Sequence, residues 1–296
     1  MSRTFNRVAV LKGGPSAERE VSLASGAAVA KALRELGYEV AEIDQVDTEV
    51  RLPSGIEAVF IALHGTFGED GTLQRMLEKQ GIPFTGSDSE SSRLAFDKVA
   101  SKRLFERHGV ATPRYEVLAP GQTRSMPLPL VVKPPRQGSS IGVSKVFDEA
   151  EWPAALAGAL ALDREALVEA FIPGAELTVG VVGEQVLPIV EIRAPEGYYD
   201  YRAKYTKGLT EYLVPAPLDP ELTRVCQELA WAAFQALGCR GLGRVDIRLT
   251  PDGYPFVLEL NTIPGFTETS LLPKAARAAG LEFPRLCEMI LNLARV

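Results

Sequence analysis

Asp246, Glu259 and Asn261 are spaced to meet on one face of a β-hairpin, where they could bind a hard cation. Residues 241–250 read as a strand, Pro251, Asp252, Gly253 and Tyr254 as its turn, and residues 255–261 as the returning strand. A loop of two or of four residues gives the same register, with Asp246 opposite Glu259 and Arg244 opposite Asn261. Directly opposed side chains lie ~5 Å apart, where two carboxylates repel by roughly 3 kcal/mol at an effective dielectric of ~20. A divalent cation between them reverses the sign of that interaction. Asn261 projects from the same face and adds an amide oxygen. An all-oxygen set with open positions suits Mg²⁺, which keeps waters and shares its shell with substrate phosphates. On an exposed sheet face two such carboxylates would simply be solvated, but Val245, Ile247, Val257, Leu258 and Leu260 are too apolar for a surface ribbon.

Three further groups of residues carry chemistry. Lys133 ends the apolar strand 130–133, and the turn Gly138-Ser139-Ser140-Ile141-Gly142 offers N–H and O–H donors, as phosphate-cradling loops do. It is not a P-loop, which needs Gly-Lys-Ser/Thr opening a helix, and a Gly/Ser turn alone is weak evidence. Taken with the acidic hairpin, the lysine and the turn point to a nucleoside triphosphate held between two sheets. The apolar run 166–172 ends in Pro173-Gly174, so its backbone could pair with an adenine edge while Glu176 reaches the ribose. An ordinary crossover explains those residues equally well. Glu18 follows a glycine turn after the first strand, and His64 ends the third, both at the sheet edge where ligands of open α/β folds gather. Glu18 at a helix start and a lone histidine also have purely structural uses.

The elements that must position these residues begin with an alternating pattern. Strands are expected at 8–11, 38–43 and 58–63, and helices at about 17–36 and 72–80, which implies an open, mainly parallel sheet. A single helix is expected over 91–108, a linker-like run over 113–129, and an Ala-rich helix over 149–161. Strands at 176–182 and 185–192 make a hairpin about Gly183 and Glu184. Residues 194–213 form a long polar loop, a helix covers 220–237, and two short helices close the chain near 270–279 and 283–295.

At 296 residues, two or three subdomains are expected, with boundaries at 1–88, 89–173 and 174–296. Hydrophobic residues at 46% and charged residues at 24% describe a globular chain, and a net charge of −6 argues against nucleic-acid or anionic-membrane partners. Cys226, Cys239 and Cys287 are few, odd in number and widely spaced, with no CxxC pair, so neither a disulfide framework nor a zinc site is indicated. No apolar stretch approaches the ~18 residues of a membrane span, and the first residues lack a signal segment, so a reducing cytoplasm is expected.

The ordered motifs 13–22, 64–71, Asp97-Lys98, 133–142, 199–205, 243–246 and 259–265 resemble the D-alanine–D-alanine ligase family of the ATP-grasp superfamily. The resemblance implies an α/β chain, α+β in its C-terminal part: an N-terminal open parallel sheet domain followed by a two-subdomain ATP-grasp fold. It implies the reaction of ATP with two D-alanine molecules to give D-alanyl-D-alanine, ADP and phosphate through an acyl phosphate, supplying a peptidoglycan precursor. By that resemblance Glu18 holds the first ammonium, His64 lies near the first substrate, and Arg244 with the Gly265 N–H forms the oxyanion hole. Ser270 and the Leu271 backbone bind the second carboxylate. Lys98, Lys133, Ser139, Ser140 and Lys204 serve the phosphates, and Glu169, Phe171, Ile172, Glu176 and Leu258 serve adenine and ribose. Asp246, Glu259 and Asn261 hold two Mg²⁺, with Mn²⁺ as an alternative. Residues 194–213 become a lid that Tyr205 closes toward Ser139 and Glu18, and the assembly is a homodimer. The chain departs from the family pattern at Arg75, Pro135, Gln137 and Ile263, and in a short segment between Val110 and Lys133.

Overall fold

Strand β1 (Arg7–Gly13) is apolar on both faces because both are covered. Val8 and Val10 pack with Val29 and Leu33 of helix α1 (Arg19–Glu35), while Ala9 and Leu11 face Leu73 and Leu77 of α2 (Thr72–Gln80). The strand lies between β2 (Glu39–Gln45) and β3 (Ala58–Ile61), parallel to both. The computed structural model describes residues 4–194 and 209–296.

The expected helix over 91–108 is two helices, α3 (Ser89–Phe96) and α4 (Lys98–Arg107). Asp97 between them takes an extended backbone (φ −86°, ψ 99°), and its carboxylate accepts from the N–H groups of Val99 and Ala100. The N-cap thus starts a new helix where apolar periodicity alone suggests continuation. The linker-like run contains a strand, β4 (Tyr115–Leu118), antiparallel to β7 (Ala166–Ala170). With β5 (Leu130–Lys133) and β6 (Ser144–Val146) these form a four-stranded sheet ordered β4-β7-β5-β6, backed by α5 (Trp152–Leu160).

A larger antiparallel sheet has the order β11-β10-β8-β12-β13, with β9 beside β8. Its strands are β8 (Ala175–Val182), β9 (Gln185–Val186), β10 (Val190–Arg193), β11 (Glu211–Leu213), β12 (Leu242–Leu249) and β13 (Pro255–Asn261). The expected hairpin partner 185–192 is divided into β9 and β10, and β11 lies in what reads as loop. Helix α6 (Pro220–Ala236) covers one face of this sheet. Helices α7 (Leu271–Ala278) and α8 (Phe283–Asn292) bring the chain back to its start. Leu286 and Ile290 join the core of β1 and α1, and Arg295 exchanges backbone hydrogen bonds with Phe84.

The β12–β13 hairpin reaches its register in an unexpected way. Near the turn, Leu249 faces Pro255 and Ile247 faces Val257, which leaves a three-residue loop from Pro251 to Gly253 closed by Thr250 N–H donating to the Tyr254 carbonyl at 3.0 Å. Gly253 supplies the left-handed residue (φ +84°) such loops use. A register shift follows Asp246, so that Asp246 faces Glu259, Arg244 faces Asn261, and Leu258 is bulged out. The bulge restores the register expected from the sequence and turns Leu258 and Glu259 toward the same cavity.

Candidate active site

A cavity of about 320 Å³ opens between the four-stranded sheet and the β8–β12–β13 face. Of the residues singled out for nucleotide binding, Lys98, Lys133, Ser140, Glu169, Phe171, Ile172, Glu176 and Leu258 line it, and so do Asp246 and Glu259. Arg248 and Lys145 also line it and were not singled out.

On the hairpin side Asp246 is the hub. Arg244 grips it bidentately, with Nε and a terminal nitrogen each 2.8 Å from a carboxylate oxygen. Thr178, its cross-strand neighbour on β8, donates at 2.6 Å, and the Asn261 amide nitrogen donates at 3.1 Å. Asn261 therefore keeps its amide oxygen for another partner. Glu259 pairs with Lys98 at 3.0 Å, and Lys98 also donates to the Gln137 carbonyl at 2.8 Å.

On the sheet side Glu169 lies buried between two lysines, 2.7 Å from Lys102 and 2.7 Å from Lys133. Burial by itself would raise the Glu169 pKa, but the Lys102 and Lys133 charges together hold it below the ordinary value. Burial pulls Lys102 downward despite Glu169. Arg248 anchors the strand end, donating to the Ile172 and Gly174 carbonyls at 3.2 and 2.8 Å and to Glu176 at 3.2 Å. Arg136 ties the base of the Gly/Ser loop to Asp97, Asp163 and Glu165.

Beyond that loop lies the second cluster. The Ser139 hydroxyl donates to Glu18 rather than lining the nucleotide cavity, and Ser139 and Ser140 both adopt the left-handed region (φ 52° and 59°). A Cβ on Gly65 or on Gly138 would come within 2.9 Å of the Glu18 carboxylate, so both backbones press against it. A smaller cleft lined by Glu69, Gly138, Glu259 and Asn261 adjoins the main cavity. His64 is buried; its Nδ1 lies 2.9 Å from the Ile263 carbonyl, which can only accept, so Nδ1 carries the proton. Its Nε2 lies 3.2 Å from the Ser25 hydroxyl, and Ser25 accepts the Phe266 N–H at 3.1 Å. His64 thereby connects the first sheet to the 263–266 loop that holds Gly265. Burial raises the pKa of Glu69, which lies 3.5 Å from His64. Ser270 occupies the N-cap position of α7 without a side-chain bond to the helix; its hydroxyl accepts the Thr267 N–H at 3.0 Å, and Leu271 is buried behind it. Lys204 and Tyr205, expected at the phosphates and at the lid, lie outside the described residues.

Two of the unanticipated residues had a signal. Arg248 shares the period-2 face of Arg244 and Asp246, and Lys102 is one helical turn after Lys98. Thr178 had none, because its partner is 68 residues away.

Residues 99–292 match the family model described as D-ala D-ala ligase C-terminus, and residues 40–87 match D-ala D-ala ligase N-terminus. A D-alanine–D-alanine ligase of Methylacidiphilum infernorum is 50% identical over 287 residues, covering 97% of this chain and 95% of the relative. One from Syntrophotalea carbinolica is 53% identical over 290 residues, covering 96% and 95%. Among solved structures, the Bacillus anthracis D-alanine–D-alanine ligase complexed with ATP superposes with a TM-score of 0.86 at 33% identity over 97% of each chain. The VanG D-Ala:D-Ser ligase of Enterococcus faecalis gives 0.85 at 31% identity over 98% and 99%. With both halves matched and the shared length nearly complete, this chain belongs to the D-alanine–D-alanine ligase family.

Proposed function

We infer that this chain ligates two D-alanine molecules at the expense of ATP, forming D-alanyl-D-alanine, ADP and phosphate as a peptidoglycan precursor step. The observation that carries the reading is Asp246 facing Glu259 on the rim of a cavity that Lys98 and Lys133 also line, with Lys98 3.0 Å from Glu259. Anionic and cationic groups around one cleft suit a triphosphate and its counter-ions.

The chemistry falls to this chain's residues as follows. Glu18 receives the ammonium of the first D-alanine, with Ser139 holding the carboxylate in place. The first substrate's carboxylate attacks the γ-phosphorus and the bond to the bridging oxygen breaks, releasing ADP, while Lys98 and Lys133 neutralise phosphate oxygens. Closure of the cleft protects the acyl phosphate from water. The second D-alanine, its carboxylate at Ser270 and the start of α7, attacks the acyl carbon through its unprotonated amine; the C–O bond to phosphate then breaks, and the proton lost by the nitrogen leaves with the phosphate. Arg244 and the Gly265 N–H stabilise the oxyanion, an effect commonly worth about 3 kcal/mol. His64 keeps the 263–266 loop in place through Ile263 and Ser25. Lys204 and Tyr205 complete the phosphate contacts and the lid in this reading.

The metal set is two carboxylates and an amide oxygen, all hard donors. Among the described residues no group of three His, Cys, Asp or Glu forms a closed cage. An incomplete set fits Mg²⁺ or Mn²⁺ that finishes its shell with phosphate oxygens and water. Two such ions, when bound at Asp246, Glu259 and Asn261, supply charge neutralisation to the phosphoryl group. A homodimer in the cytoplasm belongs to the same reading, and no described helix is long and apolar enough to cross a membrane.

The test is phosphate release with Mg²⁺-ATP and D-alanine, L-alanine, or D-alanine with D-serine or D-lactate. Turnover with D-alanine alone and a D-alanyl-D-alanine product are expected. Equal use of L-alanine, or a mixed product in preference, overturns the substrate assignment.

A further inference from the structure

Lys102 is fully buried behind Glu169, which lines the nucleotide cavity, and no step of the proposed reaction uses it. Its ammonium is held on three sides: by Glu169 at 2.7 Å, by the Thr112 hydroxyl at 2.6 Å and by the Pro113 carbonyl at 3.3 Å. It also lies 5.2 Å from the centre of the Tyr115 ring. It donates to Thr112 and Pro113 and is ion-paired with Glu169, so the side chain is a fixed charge. Lys133 is placed differently. Its ammonium meets the other oxygen of Glu169 at 2.7 Å, and the side chain lines the cavity.

Two cations thus share one anion, and the trio carries one net positive charge. Had the floor held only Lys133 and Glu169, they would form a closed neutral pair. A phosphate would then have to break a buried ion pair to engage Lys133, leaving Glu169 uncompensated, which is costly. The Glu169 carboxylate would also repel the phosphates across a low-dielectric site. With Lys102 in place, Lys133 can turn to a phosphate while Glu169 stays paired.

We infer that Lys102 is a positioning residue for nucleotide recognition: it neutralises Glu169 from behind, so that the charge of Lys133 is available to a polyphosphate. The inference rests on the nucleotide reading of this cavity. It assigns Lys102 no contact with substrate. A purely structural role, anchoring α4 to residues 112–113, would change stability without changing how the site distinguishes phosphate from nucleoside.

The experiment measures ADP and adenosine binding by competition in wild type, Lys102→Met and Lys102→Met/Glu169→Gln, with folding checked by circular dichroism. In Lys102→Met the ratio of ADP to adenosine affinity is expected to fall at least about tenfold and its salt dependence to flatten. The double variant removes both buried charges, leaves Lys133 cationic, and is expected to regain a ratio within about threefold of wild type, because no carboxylate is then left to bind Lys133 or repel the phosphates. Should Lys102→Met not fold, Lys102→Gln, which keeps a donor for Thr112, takes its place. An unchanged ratio in the single variant, or a ratio that stays low in the double variant, overturns the inference. Wild-type protein that binds neither ADP nor ATP would instead sink the nucleotide reading itself, so the two failures are distinguishable.

Discussion

The Lys98 ammonium lies 3.0 Å from the Glu259 carboxylate, although Lys98 opens α4 and Glu259 sits on β13. Lys98 also donates to the Gln137 carbonyl, so one side chain joins the helix, the Gly/Ser loop and the acidic hairpin. In the proposed reading, a polyphosphate entering the cavity competes with Glu259 for Lys98 and frees a carboxylate oxygen for a cation, so that phosphate and cation binding are coupled through that pair.

Glu259→Gln keeps the shape and removes the charge. Turnover is expected to fall by about 10³-fold, the scale seen when one preorganised electrostatic group is lost. The circular dichroism spectrum should be unchanged. Near-normal phosphate release from the folded variant would remove Glu259 from the cation set.

Thr178→Val deletes a 2.6 Å hydrogen bond to the Asp246 carboxylate without changing side-chain volume much. Hydrogen bonds to charged groups contribute about 1.5–3 kcal/mol. Stability should fall by that order, and the Mg²⁺ concentration for half-maximal activity should rise several-fold while KM for D-alanine moves little. A variant that lowers stability with no change in Mg²⁺ dependence would leave Thr178 a sheet residue only.

Gly65→Ala adds a methyl group at φ +69°, a conformation costing about 1–2 kcal/mol for an L residue. That methyl group would lie 2.9 Å from Glu18 and 3.1 Å from Ser16. Displacement of Glu18 is expected to raise KM for D-alanine about tenfold or more, with KM for ATP within a factor of two. If the ATP term shifts instead, Glu18 is not the ammonium site.

Glu169 sets an acid limit on stability. Its folded pKa lies below the ordinary value of 4.5, so between the two values the unfolded chain binds a proton that the folded chain does not. Stability therefore rises with pH across that window, is fully present above 4.5, and is lost as pH falls through the folded value. Glu169→Gln, which strands two buried lysines, should cost about 3–5 kcal/mol at neutral pH. The gap to wild type should narrow as both are unfolded by urea at progressively lower pH. A pH-independent gap would exclude ionised Glu169 as the stabilising species.

The candidate site was legible where local order decides it. Alternation placed Arg244 and Asp246 on one face of β12; Asn261 and Glu259 do lie opposite them, but through a three-residue loop and a bulge at Leu258 rather than the even-length loop expected. Periodicity also located β1, β3, α2 and α6 within a few residues. Asp97 misled it, because one carboxylate capping two N–H groups outweighs continuous helical periodicity. The strands β4, β6 and β11 are too short for alternation to register, and pairing with distant segments makes them strands.

By itself the order of residues determined which chemistry this chain carries: the acidic hairpin, the Gly/Ser loop after Lys133, and the glycine turns around Glu18 and His64. Those are properties of side-chain type and near-neighbour geometry, which act over a few residues. Only the tertiary structure decided how the charges are shared. Thr178 reaches Asp246 from another strand, Lys102 reaches Glu169 from another layer, and the bulge at Leu258 corrects a three-residue loop. Pairings of that kind depend on which segments pack together, and a buried charge is stable only where such packing brings it a partner.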